Sequence, residues 1–253
     1  MKSPRRILAW IGFCCCLAGA SVSHGASVLF VGNSFTQSAS NAGQSYNAAN
    51  VTDANGTGVG GVPGIFKKLA TEGGFSNVTV TIETVGGETL AYHRTNKAAI
   101  IGGSAWDWVV LQEYSTRPLS SPSGDANGTN ILAFRNSVTS IESLALSANG
   151  ATKVLLYETW ARPDKIAAGY FGTLAAMQSE LRNSYSTAVA DYGLAGWAPV
   201  GDAFLEAIRL GYADDPTTSA SEGPITLWNG DNYHASAYGS YLGASLFYED
   251  PWR

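Results

Sequence analysis

The 253-residue chain is mildly acidic, with 15 Lys and Arg against 20 Asp and Glu, and only 14% of its residues carry charge. That balance argues against nucleic acid or an anionic membrane as a principal partner, because both select basic faces. A hydrophobic share of 45% with 29 glycines fits a loop-rich folded protein rather than a disordered one.

At the start of the chain, Lys2, Arg5 and Arg6 precede an apolar run from Ile7 to Ala20, followed by small residues. This is the layout of a secretory signal peptide, and the run is short for a membrane span. Residues 1–26 are therefore expected to be removed. Cleavage sites after Ala20, Gly25 and Ala26 are all compatible, the later ones being favoured because Ser27 opens the first strand. The expected destination is the periplasm or the exterior, without stable membrane insertion; an uncleaved anchor or twin-arginine export are the alternatives. All three cysteines (Cys14, Cys15 and Cys16) lie in this segment, so no disulfide or thiolate site is expected in the mature chain. Losing Lys2, Arg5 and Arg6, with no acid in the same segment, takes the formal charge from −5 to −8. His24 leaves too, so His93 and His234 remain, a zinc site rich in histidine is not expected, and no cofactor is implied.

Residues 27–253 are long enough for one sizeable core. Five apolar runs predict strands: Val28–Val31, Val78–Val85, Trp108–Leu111, Lys153–Tyr157 and Leu194–Val200. Two of them, Val28–Val31 and Val109–Leu111, are apolar throughout, as strands covered on both faces are. The alternation Val78-Thr79-Val80-Thr81-Ile82 suits a position near an edge. Helices are predicted over Pro63–Thr71, Leu90–Ile101, Ile131–Ser147, Ala167–Ala190, Ala203–Leu210 and Ala235–Phe247. Alternating strands and helices imply an α/β sandwich with a mainly parallel sheet. Three long loops remain, at Gln37–Gly61, Ser115–Thr129 and Ala213–Gly230, and such loops are often binding walls. Asp53-Ala-Asn-Gly-Thr57 recurs as Asp125-Ala-Asn-Gly-Thr129; neither copy has the Glu of a calcium loop, and Asn-Gly turns explain both. Gly58–Gly64 lacks the Lys-Ser/Thr of a phosphate loop.

Two segments can carry chemistry. Gly32-Asn33-Ser34 sits at the carboxyl end of the first predicted strand, where ligands bind in open parallel sheets. A serine there can face the crevice with its own N–H aimed at a developing oxyanion; the same residues would equally suit a turn that caps a helix. At the far end, Asp231-Asn232-Tyr233-His234 places an acid three residues before a histidine. That spacing lets a carboxylate fold back onto the imidazole and fix its tautomer. A serine nucleophile needs a base. His93 lies within a predicted helix beside Arg94, without an acid at a comparable offset, so His234 is the better candidate.

Gly32-Asn33-Ser34-Phe35-Thr36 after the first strand, paired with Asp231-x-x-His234, resembles the first and last conserved blocks of the SGNH (GDSL-like) hydrolases. The resemblance runs from Val28 to about Tyr248. It implies a flavodoxin-like, three-layer α/β/α fold with a five-stranded sheet and an ester hydrolysis that proceeds through an acyl-enzyme on Ser34. Block II of that family aligns with Gly86-Gly87-Glu88-Thr89, which makes Gly87 an oxyanion donor together with Ser34. Block III usually reads Gly-x-Asn-Asp; here Leu111-Gln112-Glu113 stands in its place, as in a divergent branch, and Gln112 is expected to supply the missing amide N–H. The alternative is that Gln112 bonds to the sheet edge. Asn33, Trp160 and Arg162 are assigned to substrate contact, Trp160 through ring stacking on a sugar and Arg162 through a carboxylate, with packing as the other role for Trp160. Tyr46, Tyr114 and Trp228 in the long loops invite the same reading. The expected activity is that of an exported serine esterase acting on small or polysaccharide esters. A lipid or aryl-ester hydrolase, or a non-catalytic carbohydrate-binding module on the same scaffold, are the alternatives.

Overall fold

The computed structural model describes residues 25–219 and 223–249, the side chain of Glu249 apart. Apart from Gly25 and Ala26, the expected signal peptide lies outside the described residues. The elements follow in the order β1 (Ser27–Gly32), a 3₁₀ turn at Ala48–Asn50, β2 (Thr52–Asp53), α1 (Gly61–Glu72), β3 (Thr79–Thr84), α2 (Leu90–Asn96), α3 (Ala98–Ile101), β4 (Trp108–Leu111), α4 (Ile131–Ala148), β5 (Lys153–Tyr157), α5 (Pro163–Ala167), α6 (Leu174–Tyr192), β6 (Gly196–Ala198), α7 (Val200–Arg209) and α8 (Ala237–Glu249).

The strands form one parallel sheet in the order β2-β3-β1-β4-β5-β6. Val28 pairs with Val80 on one side and Trp108 on the other, so β1 is central. Its run from Val28 to Val31 is wholly buried, as is all of β4. The sheet has six strands rather than the expected five. The extra one, β2, contributes only Thr52 and Asp53, two polar residues inside a predicted loop, and no apolar run marks it. Among the described residues it is the strand that pairs with the outer edge of β3, and its two-residue length fits the alternation seen there.

Helices flank the sheet in two groups. One group joins α1 to α8 and α8 to α7; in the other, α4 packs on α2, α3 and α6. Two predicted helices depart from their expected bounds. Leu90–Ile101 divides at Lys97, whose φ of −124° and ψ of 14° leave the helical region. The helix predicted over Ala167–Ala190 starts later, at Leu174, where the Thr173 side chain caps α6 by accepting the Ala176 N–H, and a separate short helix, α5, precedes it with Pro163 in the first-turn position it favours. Among the described residues, no helix is long and apolar enough to cross a membrane.

From β1 the chain moves to one side to add β2 and β3, then crosses back over β1 to start β4. This reversal leaves a crevice at the carboxyl end of β1, where open α/β sheets bind ligands. Phe30 anchors β1 to the α1–α8 layer through rings 5.7 Å from Phe66 and 5.4 Å from Phe247. Phe30→Ala is expected to lower stability by about 3–5 kcal/mol, read from urea unfolding, because a fully buried ring leaves a cavity.

Candidate active site

Ser34 stands two residues past β1, on a turn that tolerates no side chain at Gly32. A Cβ there would lie 2.4 Å from the Thr36 hydroxyl and 2.7 Å from Gln112 Oε1. The turn is held from below by buried Gln112, the first residue after β4. Its Oε1 accepts the Asn33 N–H at 3.0 Å, the Thr36 N–H at 3.3 Å and the Thr36 hydroxyl at 2.8 Å. Two of those donors are backbone amides and cannot be reversed, so the amide orientation is fixed and Nε2 is left to donate to the Glu113 carbonyl. Gln112 therefore does not offer an N–H to the crevice, and the expected oxyanion role is corrected to one of holding the serine turn.

Asn33 is likewise corrected. It is 3% exposed; its carbonyl oxygen accepts the Phe35 N–H at 3.1 Å and its amide donates to the Glu88 carbonyl at 2.9 Å. It ties the serine turn to the loop after β3, and its burial turns it from substrate contact to holding that turn.

The acid and the imidazole belong to one tight loop, from Leu227 to Ser236. Asn229 N–H bonds to the His234 carbonyl at 2.8 Å and Ser236 N–H to the Leu227 carbonyl at 2.8 Å. Within it, Asp231 Oδ1 accepts the N–H groups of Tyr233 and His234, both at 2.9 Å. Oδ2 is then directed to His234 Nδ1 at 2.7 Å. The intervening Asn232 takes a φ of 54°, a conformation Asn tolerates better than most residues. A carboxylate only accepts, so Nδ1 of the neutral ring carries the proton and Nε2 is free to accept. Nε2 lies 3.0 Å from Ser34 Oγ. The structure thus brings Ser34, His234 and Asp231 together within the reach required for proton transfer.

Behind the imidazole is a column of rings. Phe35 stacks on Trp160 at 4.1 Å and Trp160 on Phe204 at 5.1 Å, both nearly parallel. Phe35 meets the edge of His234 at 5.8 Å. Trp160 is fully buried and donates its indole N–H to the Tyr233 carbonyl at 3.0 Å, so it buttresses the loop that carries His234 and is not a platform for a sugar. Trp228 is buried too, bonding to the Ala161 carbonyl at 3.2 Å. Arg162 is 5% exposed and spends its charge within the protein. It pairs with Asp125 at 2.8 Å and Asp164 at 2.6 Å, bonds to the Ser115 hydroxyl at 3.2 Å and covers the Tyr233 ring at 3.8 Å. The expected substrate roles of Trp160 and Arg162 are therefore withdrawn. The segment from Tyr157 to Pro163 turns inward where an exposed rim was anticipated. Of the loop aromatics, Tyr114 is half-buried and Tyr46 exposed.

The two repeated Asp-Ala-Asn-Gly-Thr segments are turns whose acids are already engaged. Asp53 accepts the N–H groups of Asn55, Thr57 and Val59 together with the Thr57 hydroxyl. Asp125 pairs with Arg162 and Lys165.

Gly87 lies in the exposed loop between β3 and α2. Its φ of 77° sits in the third position of a turn closed by Glu88 N–H to the Val85 carbonyl at 3.2 Å, and that backbone geometry favours glycine. The loop is stitched to the serine turn by Asn33, by Val85 N–H to the Gly32 carbonyl at 3.1 Å, and by the Gln37 amide on Thr84. Neither Ser34 N–H nor Gly87 N–H bonds to a described protein acceptor.

Other buried polar pairings are not evident from motifs. His93 is wholly buried and its Nδ1 lies 2.5 Å from Glu83 Oε2; its acid comes from the neighbouring strand rather than its own helix. Glu113 is also wholly buried and accepts the N–H groups of Leu90 and Tyr114. The signal available for Glu83 and Glu113 was an acid placed within or beside an apolar strand.

No protein-family model matches the sequence, and no curated protein matches it. Solved structures do match. A protein from Parabacteroides merdae assigned as a GDSL-like lipase superposes with a TM-score of 0.62 at 16% identity, over 88% of this chain and 94% of its own. A catalytic mutant of Axe2, an acetylxylan esterase from Geobacillus stearothermophilus, gives 0.58 at 13% identity, over 90% and 95%. A DUF4886 family protein from Bacteroides uniformis gives 0.57 at 17% identity, over 89% and 82%. The fold is that of the SGNH/GDSL-like hydrolases. In this SGNH-like frame the Ser34 turn, the Gly87 loop and the Asp231–His234 loop occupy one end of the parallel sheet.

Partial burial pushes the Asp231 carboxyl up, but the bonds from the His234 ring and from the Tyr233 and His234 N–H groups outweigh it and hold it below its ordinary value of 3.8. Asp231 therefore stays ionised in mild acid. An NMR titration of the Asp231 carboxyl should therefore give a midpoint below 3.8, and a midpoint at or above that value would mean that its three bonds do not outweigh its burial.

Proposed function

We propose that the protein is an exported serine esterase that cleaves carboxylic esters, with acyl groups on polysaccharide as its natural substrates. The observation that carries the reading is the Ser34–His234–Asp231 geometry, with separations of 3.0 Å and 2.7 Å. A protein that only bound its ligand would have no use for a serine hydroxyl aligned on an imidazole whose tautomer is set by a carboxylate.

In the first half-reaction His234 Nε2 takes the Ser34 proton as Oγ attacks the ester carbonyl. The oxyanion sits on the N–H groups of Ser34 and Gly87. The tetrahedral adduct collapses, the alcohol leaves with the proton returned by His234, and the acyl group stays on Ser34. Water, deprotonated by His234, then attacks the acyl carbonyl; the second adduct breaks to release the acid and restore the Ser34 hydroxyl. Asp231 holds the ring and stabilises the imidazolium in each half. With Gln112 turned towards the serine turn, the oxyanion is received by two backbone donors.

Three features support a carbohydrate ester. One structural neighbour is named an acetylxylan esterase. The signal-like segment suits export to where polysaccharides are found. Tyr238, on the first turn of α8 and four residues past His234, is 62% exposed and offers a ring on which a pyranose can stack.

Purified protein should release p-nitrophenol from p-nitrophenyl acetate, and Ser34→Ala should reduce kcat/KM by at least about 1,000-fold while keeping the fold, as loss of a nucleophile does. Equal rates for the two proteins would defeat the esterase reading and favour a binding module. Acid release from acetylated xylan, pectin or alginate, exceeding that from short aryl esters, is the expected outcome of a substrate panel.

A further inference from the structure

Gln112 and Glu113 are consecutive residues at the carboxyl end of the central strand β4, and they face different partners. Gln112 holds the turn that carries Ser34. Glu113, fully buried, extends Oε1 to the Leu90 N–H at 2.9 Å and to the Tyr114 N–H at 2.7 Å. Leu90 is the first residue of α2, and Thr89 caps that helix by accepting the Tyr92 N–H at 3.3 Å. Gly87 is only three residues upstream of Leu90, so the position of its N–H depends on where α2 begins.

The loop from Val85 to Thr89 has three points of attachment. Its entry is fixed by Val85 N–H on the Gly32 carbonyl, its middle by Asn33 on the Glu88 carbonyl, and its exit by Leu90 N–H on Glu113. Two of these lead to the serine turn directly. The third leads to it through the adjacent residues Gln112 and Glu113, the main-chain carbonyl of Glu113 also accepting the Gln112 side-chain amide. One dipeptide thus grips both halves of the oxyanion site. Glu113 Oε2 has no hydrogen-bond partner although it is buried. A carboxyl group at that depth is costly, and an apolar residue would fill the space more cheaply were packing its only task.

We propose that Glu113 is a positioning residue for the oxyanion site: by holding the Leu90 N–H, it fixes the Gly87 N–H at bonding distance from the oxyanion formed on Ser34. The inference rests on the esterase reading for its kinetic consequence, but its structural claim stands independently of catalysis.

The test combines steady-state kinetics on p-nitrophenyl acetate with amide hydrogen exchange on the full chain. In Glu113→Gln one oxygen still accepts both N–H groups, so kcat should stay within about 3-fold of wild type. In Glu113→Ala the grip is lost; kcat should fall by about 10- to 100-fold with KM within about 2-fold, the signature of a misplaced transition-state contact. Exchange should accelerate in residues 85–92 and stay unchanged in the Asp231–His234 loop. Leu90→Pro provides a second route should Glu113→Ala fail to fold. It deletes the same donor at a first-turn position where proline's φ is suited to the helix and after an extended Thr89, and it should produce the same kcat loss and local exchange. Glu113→Ala with wild-type kcat and unchanged exchange would overturn the proposal, as would exchange that accelerates uniformly across the protein. If the wild-type protein hydrolyses no ester, the esterase reading fails on its own, and the exchange comparison still decides whether Glu113 holds the loop.

Discussion

The molecule is organised around one hydrogen bond, 3.0 Å long, between side chains 200 residues apart: the hydroxyl of Ser34 and Nε2 of His234. Ser34 belongs to the turn after the first strand and His234 to the last loop, so the bond forms only if the whole sheet has been laid down in the right order. The switch in strand order at β1 opens the crevice, and the return of the chain before α8 delivers the imidazole to it. A bond of this kind contributes little to stability. Its value is positional, and much of the surrounding structure serves to keep its two ends in place.

Each end has its own support. The serine turn is locked by a side-chain oxygen with three donors, which suits a turn where Gly32 and Thr36 approach closely. The imidazole is supported by stacked rings and a cation. Phe35 continues directly from Ser34 into the column with Trp160 and Phe204, while Arg162 covers Tyr233, the neighbour of His234. Burying Arg162 would be prohibitive without its acids; Asp125 and Asp164 on one guanidinium meet that requirement. Phe35 links the supports of Ser34 and His234, so a disturbance of the rings is felt at both.

Much of the architecture could be read from apolar runs, since strands buried on both faces leave a plain mark in the chain. Strand β2 could not, because two polar residues at a sheet edge leave no periodic signal. The spacing of Asp231 and His234 was legible for a local reason: four residues close their own turn, and the backbone N–H groups inside it bond to the same carboxylate. Direction was less accessible. Gln112 has the chemistry of an oxyanion donor, but whether its amide faces the crevice or the serine turn depends on two backbone N–H groups of another strand's turn. Trp160 and Arg162 have the chemistry of a sugar platform and a carboxylate clamp, yet their segment folds inward onto residues from α6 and the Ser115–Thr129 loop. His93 and Glu83 come from different elements, and their pairing is a tertiary fact. Residue type announces what a side chain can do, and only packing decides what it faces.

The central claim is that Ser34, activated by His234, is a nucleophile. It is tested most directly by exposing the protein to a fluorophosphonate and mapping the adduct by mass spectrometry. A single phosphonyl group on the peptide containing Ser34, formed at least about 100-fold more slowly in His234→Ala, is the result predicted for a serine activated by its base. An unmodified Ser34, or one labelled equally fast without His234, would contradict the account.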